Sequence, residues 1–220
     1  MSTSSRTSGA ALRLVGMLSF VLIRVSVSLF PADAAPSVPD RFAADPPAAE
    51  AALELARDTM DAWVLRHERV TPPDDLPALL RERSGVFVSA MLGDAPRCCM
   101  GSLHPTLPTV AEQIVDAAWR AAAMDLRFAP IAIGELPRLR VIVSIVEPPV
   151  PVADAQGLDP AADGLAVRCA RGWGVVLPRE TPRAELIEPW ARIRAGALPE
   201  EPVDYYRVRA FRIVEPPSEP

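Results

Sequence analysis

The chain has 220 residues, half of them hydrophobic, with 23 basic and 28 acidic side chains for a net charge of −5. That length fills one core without supplying two full-sized domains, and the acidic balance leaves no broad basic surface for a phosphate backbone, so a nucleic-acid partner is not expected. Lysine and asparagine are absent, which excludes Schiff-base lysine chemistry, a Walker phosphate loop and N-glycosylation.

Residues 1–35 resemble a secretory leader. Arg6 and Arg13 precede the apolar run Leu14 to Ile23, and Ala32-Asp33-Ala34 offers small residues for cleavage. Arg24 interrupts the run short of the roughly 20 residues that a membrane helix needs. Three outcomes stay open: a cleaved leader on an exported, periplasmic or secreted protein; an uncleaved anchor as the sole membrane contact; or a misassigned start on a cytoplasmic protein. Residues 36–47, rich in Pro and Ala, read as a flexible linker, and the domain proper is expected over residues 48–217.

That domain opens on an amphipathic helix. Asp45 is placed to cap it, Pro46 and Pro47 suit its first turn, Leu53, Ala56, Met60 and Trp63 recur along one face, and His67 closes it. A short helical piece around Leu79 and Leu80 leads into a strand, Val86 to Met91, and the loop Leu92-Gly93-Asp94-Ala95 turns it into a second strand, Pro96 to Leu103. Thr109 and Glu112 form a capping box ahead of a helix to Met124, with Val110, Ile114, Val115, Ala118, Trp119 and Ala122 as its apolar stripe. Leu139 to Val146 is a largely buried strand, followed by a polar loop, Val150 to Asp163. A second hairpin joins Gly164–Cys169 to Gly174–Leu177. A helical stretch from Thr181 is expected to break near Pro189 and to end at Gly196, and Asp204 to Val214 reads as one last strand. Hairpins flanking helices, without regular strand-helix-strand alternation, predict an α+β fold: a mostly antiparallel sheet with packed helices in a single two-lobed domain. A doubly wound parallel fold is the weaker alternative.

Metal chemistry finds little support. His67 is followed by Glu68-Arg69-Val70-Thr71 rather than an HExxH pattern, and Cys98-Cys99 lacks a partner CxxC pair, so no metal site is assigned; the identity of any cofactor stays open. The segment with chemical potential is Pro96 to Gly101. Along an extended strand Pro96, Cys98 and Met100 share one side, which reads as core, while Arg97, Cys99 and Gly101 share the other. A guanidinium beside Cys99 would favour its thiolate, and Gly101 would leave open backbone for a ligand. The bland alternative is that each cysteine is inert packing, Cys98 and Cys169 above all. A vicinal Cys98–Cys99 disulfide would be strained, whereas an exported protein leaves a link from Cys169 to one of the pair open. His104 lies about 16 Å along a straight strand from Cys99, too far for proton transfer unless the chain bends at Gly101.

These residues resemble the AMMECR domain, named for the AMME syndrome candidate gene 1 protein. Its hallmark has the form LRGCIG, and this chain reads PRCCMG followed by Ser102-Leu103. The helix ending in Asp125-Leu126-Arg127-Phe128, the Glu135-Leu136-Pro137 approach to LRVIVSIVEPP, the strand SGVFVSAM and the run GVVLP are similar in order and spacing over most of residues 48–214. Departures fall at Cys98, Pro96, Met100, His104 and Arg179, while Arg97, Cys99 and Gly101 are retained. The resemblance implies a two-lobed domain with this motif near a cleft, and an association with Memo-like and radical S-adenosylmethionine proteins. The first function class expected is a small-ligand-binding or enzymatic domain with Cys99 as nucleophile or ligand, Arg97 holding an anionic group, Gly101 and Ser102 contacting the ligand, and Asp125 and Arg127 helping to line the cleft. For Asp125 and Arg127 a structural ion pair is the competing role. A second function class stays open, a noncatalytic module that docks a protein on the same motif surface.

Overall fold

A computed structural model describes residues 35–216; the leader-like residues lie outside the described range. From Ala35 onward the described residues cluster as one unit. The stretch expected to be a linker is not one. Ser37 and Asp40 form a reciprocal cap that starts helix α1 (Val38–Ala43), and Phe42 is completely buried in the main core. The Pro- and Ala-rich composition that suggested a linker instead supplies a proline in the first helical turn and a single aromatic anchor.

Helix α2 (Pro46–Arg66) is capped by Asp45, which accepts the Ala48 N–H at 3.1 Å, and ends at His67 in the left-handed region, φ 56°. A 3-10 turn, Ala78–Arg81, leads to strands β1 (Gly85–Leu92) and β2 (Ala95–Ser102). Helix α3 (Val110–Ala123) starts with the expected Thr109–Glu112 box, and Val110, Ile114, Ala118 and Ala122 are buried along it. A 3-10 segment, Ile133–Arg138, precedes β3 (Leu139–Val146). The later elements are β4 (Val150–Val152), β5 (Gly164–Cys169), β6 (Gly172–Val176), α4 (Ile187–Ala195), β7 (Asp204–Val208) and β8 (Ala210–Val214).

The strands form two antiparallel four-stranded sheets, ordered β2-β1-β3-β8 and β4-β7-β5-β6. Helices α1, α2 and α3 cover the outer face of the first sheet through the main core, which includes Met60, Leu80, Val88, Ile114 and Ile145. Helix α4 covers one face of the second sheet through Leu165, Val176, Ile187 and Ala191. A smaller apolar layer, with Phe87, Val146, Ala166, Leu177 and Val208, joins the remaining faces. The α+β expectation therefore holds, with two sheets rather than one, and among the described residues no pairing is parallel.

Three expectations need correction. Pro189 does not break a helix: it is the third residue of α4, where the missing N–H has no intrahelical partner to lose. The polar loop after residue 150 contains β4, which pairs with Tyr205–Arg207 at the edge of the second sheet, a position that tolerates Pro151. Asp204 to Val214 is two strands that divide at Arg209 and belong to different sheets. An extended segment crossing between sheets keeps its alternation, so nothing in its sequence marks the switch. Among the described residues no helix is long and apolar enough to cross a membrane.

Candidate functional site

Strand β2 lies at the edge of the first sheet, and the motif residues leave it in different directions. Cys98 is buried in the main core beside α3, where burial pushes its thiol up to about 12. Met100 packs against the same core, while Cys99 joins the layer between the sheets. The alternation expected for these three residues is present. At Arg97 it fails. The β1–β2 register runs Ala90↔Cys98 and then Met91↔Pro96, so Arg97 is an extra residue with no partner in β1. Its guanidinium pairs with Glu135, Nε to Oε1 at 2.6 Å and Nη2 to Oε2 at 2.9 Å, and reaches the Pro130 carbonyl at 3.2 Å. Glu135, drawn down to about 2 chiefly by that pairing, also accepts the Ala132 N–H. Arg97 thus ties β2 to the segment before β3.

Cys99 meets different neighbours. Asp125, 7% exposed, accepts the Cys99 backbone N–H at 2.9 Å, and Arg127 Nη2 donates to the Cys99 carbonyl at 3.0 Å. Asp125 and Arg127 are joined to each other by Nε–Oδ1 (2.9 Å) and Nη2–Oδ2 (2.6 Å) contacts, and Asp125 also accepts the Arg127 N–H. Together the two side chains occupy the position a further strand would take on the open edge of β2. Burial works against the Asp125 charge, but the hydrogen bonds from Arg127 and from the two backbone N–H groups outweigh it and hold the carboxyl below its ordinary range.

The Cys99 thiol is pushed up to about 11, first by burial and then by the Glu180 carboxylate, with Ser89, Arg127 and Arg194 opposing. The expected thiolate beside Arg97 is therefore not supported: Arg97 is committed to Glu135, and loss of hydration exceeds the help that Arg127 and Arg194 give. Gly101 also differs from expectation. A Cβ there would overlap the Val86 carbonyl and the backbone and ring of Phe87, so the glycine is required by close strand packing rather than by an approaching ligand. The Ser102 hydroxyl donates to the His104 carbonyl at 2.7 Å and fixes the turn after β2.

A cleft of about 630 Å³ opens beside this strand, where Cys99, Gly101, Arg127 and Phe87 face Trp173 and Arg194 from the second lobe. Ser102 and His104 are also on its wall, and the His104 ring meets Trp173 edge-on at 6.0 Å. Tyr206 extends this aromatic group, 5.0 Å from Trp173. Arg194 is held by Glu180 at 2.6 Å. Of the residues expected at the site, Cys99, Gly101, Ser102 and Arg127 line the cleft. Asp125 supports it through Arg127, and Arg97 is not among its lining. Trp173, Ile193, Arg194 and Glu180 were not foreseen; an exposed tryptophan flanked by glycines at a hairpin end was the one local signal available. All three cysteines are free, and the Cys169 thiol donates to the Ala195 carbonyl at 3.2 Å. Among the described residues no group of three or more His, Cys, Asp or Glu side chains is placed to hold a metal.

The paired antiparallel sheets, helices on their outer faces and an edge-strand motif beside a cleft define the structural class. A family model described as AMMECR1 matches residues 53–212, and the chain belongs to that family. A Thermotoga maritima protein is 37% identical over 158 residues, covering 67% of this chain and 88% of that relative. A Methanothermobacter thermautotrophicus protein is 33% identical over 135 residues, covering 58% of this chain and 69% of its own length. The crystal structure of the uncharacterized protein PH0010 from Pyrococcus horikoshii is similar with a TM-score of 0.68 at 26% identity, over 78% of this chain and 93% of that one.

Proposed function

We propose that the cleft beside Cys99 binds a small organic anion with a planar or apolar body, without covalent chemistry at the cysteine. The observation that supports this most directly is its composition. The cleft is in the size range of small-molecule sites, has a largely apolar wall that includes Phe87, Ile193 and Trp173, and carries guanidinium groups at Arg127 and Arg194. Trp173 offers a ring face for stacking, and Arg194 offers a charge that an incoming anion can share with Glu180. A thiol held near 11 is neutral at physiological pH, which argues for a contact role for Cys99 rather than nucleophilic attack.

Calorimetric titration with 2-naphthoate, a planar apolar carboxylate, tests the reading. Wild-type protein is expected to bind it, and Trp173→Ala and Arg194→Met each to weaken binding roughly tenfold, the effect of losing one good contact. Equal affinity in wild type and both variants, or none in wild type, would reject it.

A protein-docking role for the motif surface keeps one specific support. Met124, Leu126, Phe128 and Ile133 are exposed around the loop that follows α3, with Leu126 fully so. Phe128 lies near both Arg97 and Arg127, whose guanidinium carbons are 5.9 and 5.5 Å from its ring centre. Leu126→Asp would abolish docking on this loop and leave 2-naphthoate binding in place.

A further inference from the structure

The face of the first sheet that looks toward the second is not uniformly apolar. Val88, Ala90, Cys98, Val141, Val143 and Ile213 all point into the main core. Their strand neighbours Ser89, Cys99, Arg140, Ser144 and Arg212 therefore take the opposite face. The register sets Phe87 opposite both Gly101 and Ser144, and Ser144 opposite Arg212, in one row across four strands.

Within this row Ser144 is 1% exposed, and its hydroxyl has no hydrogen-bond partner among the described residues. Arg140 stands four residues earlier on the same strand and face, and its Nε is also buried with no partner among the described residues. Arg212 makes one long hydrogen bond, 3.3 Å from Nη1 to the Pro178 carbonyl. Buried donors left unpaired are rare in folded proteins, and two on one face mark a place where an acceptor belongs. One oxygen of the nearby carboxylate is already used: Glu180 Oε2 accepts from both Arg194 at 2.6 Å and the Leu177 N–H at 3.0 Å. Burial lowers the Arg212 pKa, and the cationic Arg179 and Arg140 add to that, against the opposing Glu180 and Cys99. The patch thus brings three guanidinium groups, Arg140, Arg179 and Arg212, near a single carboxylate, Glu180, and has a surplus of donors and positive charge.

We propose that this patch holds a small tetrahedral oxyanion, phosphate or a phosphate ester, on the guanidinium groups of Arg140 and Arg212 and the hydroxyl of Ser144. The donors come from two strands, β3 and β8, and a tetrahedral anion presents oxygens to several directions where a planar carboxylate presents two. Phe87 stands between Ser144 and Gly101 in the register and lines the cleft, so it separates the patch from the cleft. The site is separate from the organic-anion reading of the cleft and stands or falls without it.

The experiment is calorimetric titration of the full chain with inorganic phosphate at constant ionic strength, followed by phenyl phosphate. Wild-type protein is expected to bind phosphate, and Arg212→Met and Arg140→Gln each to weaken it at least tenfold. Ser144→Ala is expected to weaken phosphate several-fold while raising the melting temperature of the phosphate-free protein, because it removes an unpaired buried hydroxyl. Trp173→Ala, which disables the cleft, leaves inorganic phosphate binding intact, and Arg212→Met leaves 2-naphthoate binding intact, so the two readings fail separately. Tighter binding of phenyl phosphate identifies an ester as the occupant, and equal or weaker binding identifies the free anion. Absence of phosphate binding in wild type, or equal phosphate affinity in wild type, Arg140→Gln and Ser144→Ala, overturns the proposal, even if Arg212→Met fails to fold.

Discussion

Replacing Asp125 by Ala is expected to lower stability by about 3 kcal/mol at pH 7. Its carboxylate accepts two backbone N–H groups, those of Cys99 at 2.9 Å and Arg127 at 3.2 Å, and pairs with the Arg127 guanidinium. A charge-assisted bond to a buried donor contributes about 1.5–3 kcal/mol; the shorter bond, to Cys99 at the sheet edge, is assigned about 2 of these. Arg127 is half exposed and regains hydration when released, so the ion pair and the second N–H add about 1. Asp125→Asn keeps an acceptor for the Cys99 N–H and loses the charge, and is expected to give about half the effect. Urea unfolding followed by far-ultraviolet circular dichroism measures both. Because the folded carboxyl titrates below its unfolded value of about 3.9, its contribution is fully present above that pH and disappears as pH falls through the folded value. The gap between wild type and Asp125→Ala should therefore close on acidification below about pH 4. Variants within 0.5 kcal/mol of wild type at pH 7, or a gap that widens in acid, would refute the edge-clamp reasoning.

Three further outcomes follow. Gly101→Ala forces a Cβ onto the backbone of Val86 and Phe87 and should destabilise by about 3 kcal/mol, against about 1 for Gly93→Ala, whose left-handed turn has open space around it; equal values in denaturant titration would contradict the packing role. With its thiol raised to about 11, Cys99 should react with iodoacetamide at pH 7.5 no faster than Cys169, as read by peptide mass spectrometry, and selective fast labelling of Cys99 would restore the thiolate. Phe42→Ala should lose about 3–5 kcal/mol by thermal or urea unfolding, because the ring is wholly buried, whereas a linker residue would change stability by less than about 0.5.

Local patterns predicted what local physics decides. The Asp45 and Thr109 caps, the His67 terminus, the β3 limits and the Cys98/Cys99 division between two faces all depend on residues within a few positions of one another. Where sequence reasoning failed, the deciding partner was remote. Phe42 turns a proline-rich approach into a helix because a core awaits it, and the Arg97 bulge exists because Glu135 is 38 residues away. The cleft was legible only on its β2 side, since Trp173 and Arg194 reach it from an element pair whose docking no local pattern encodes.

Each of the motif's prominent residues has a structural duty: Arg97 anchors the segment before β3, Cys98 fills the main core, Cys99 offers its backbone to the Asp125–Arg127 clamp, and Gly101 permits two strands to meet. A motif can therefore hold its spacing across a family without any of these side chains performing chemistry, because each fixes a different element around one edge strand. On the proposed function, discrimination among ligands would rest on what faces the motif, where Trp173, Ile193 and Arg194 supply shape, apolar surface and charge from the second lobe. Since Arg194 is anchored through Glu180, and Glu180 through the Leu177 N–H, a change in the turn after β6 would alter the cleft without touching the hallmark segment. Arg179 occupies that turn in a left-handed conformation, φ 63°, held by its N–H to Pro160 and its Nε to Ala161, so under the proposed function ligand preference should be most sensitive there and least sensitive at Cys98.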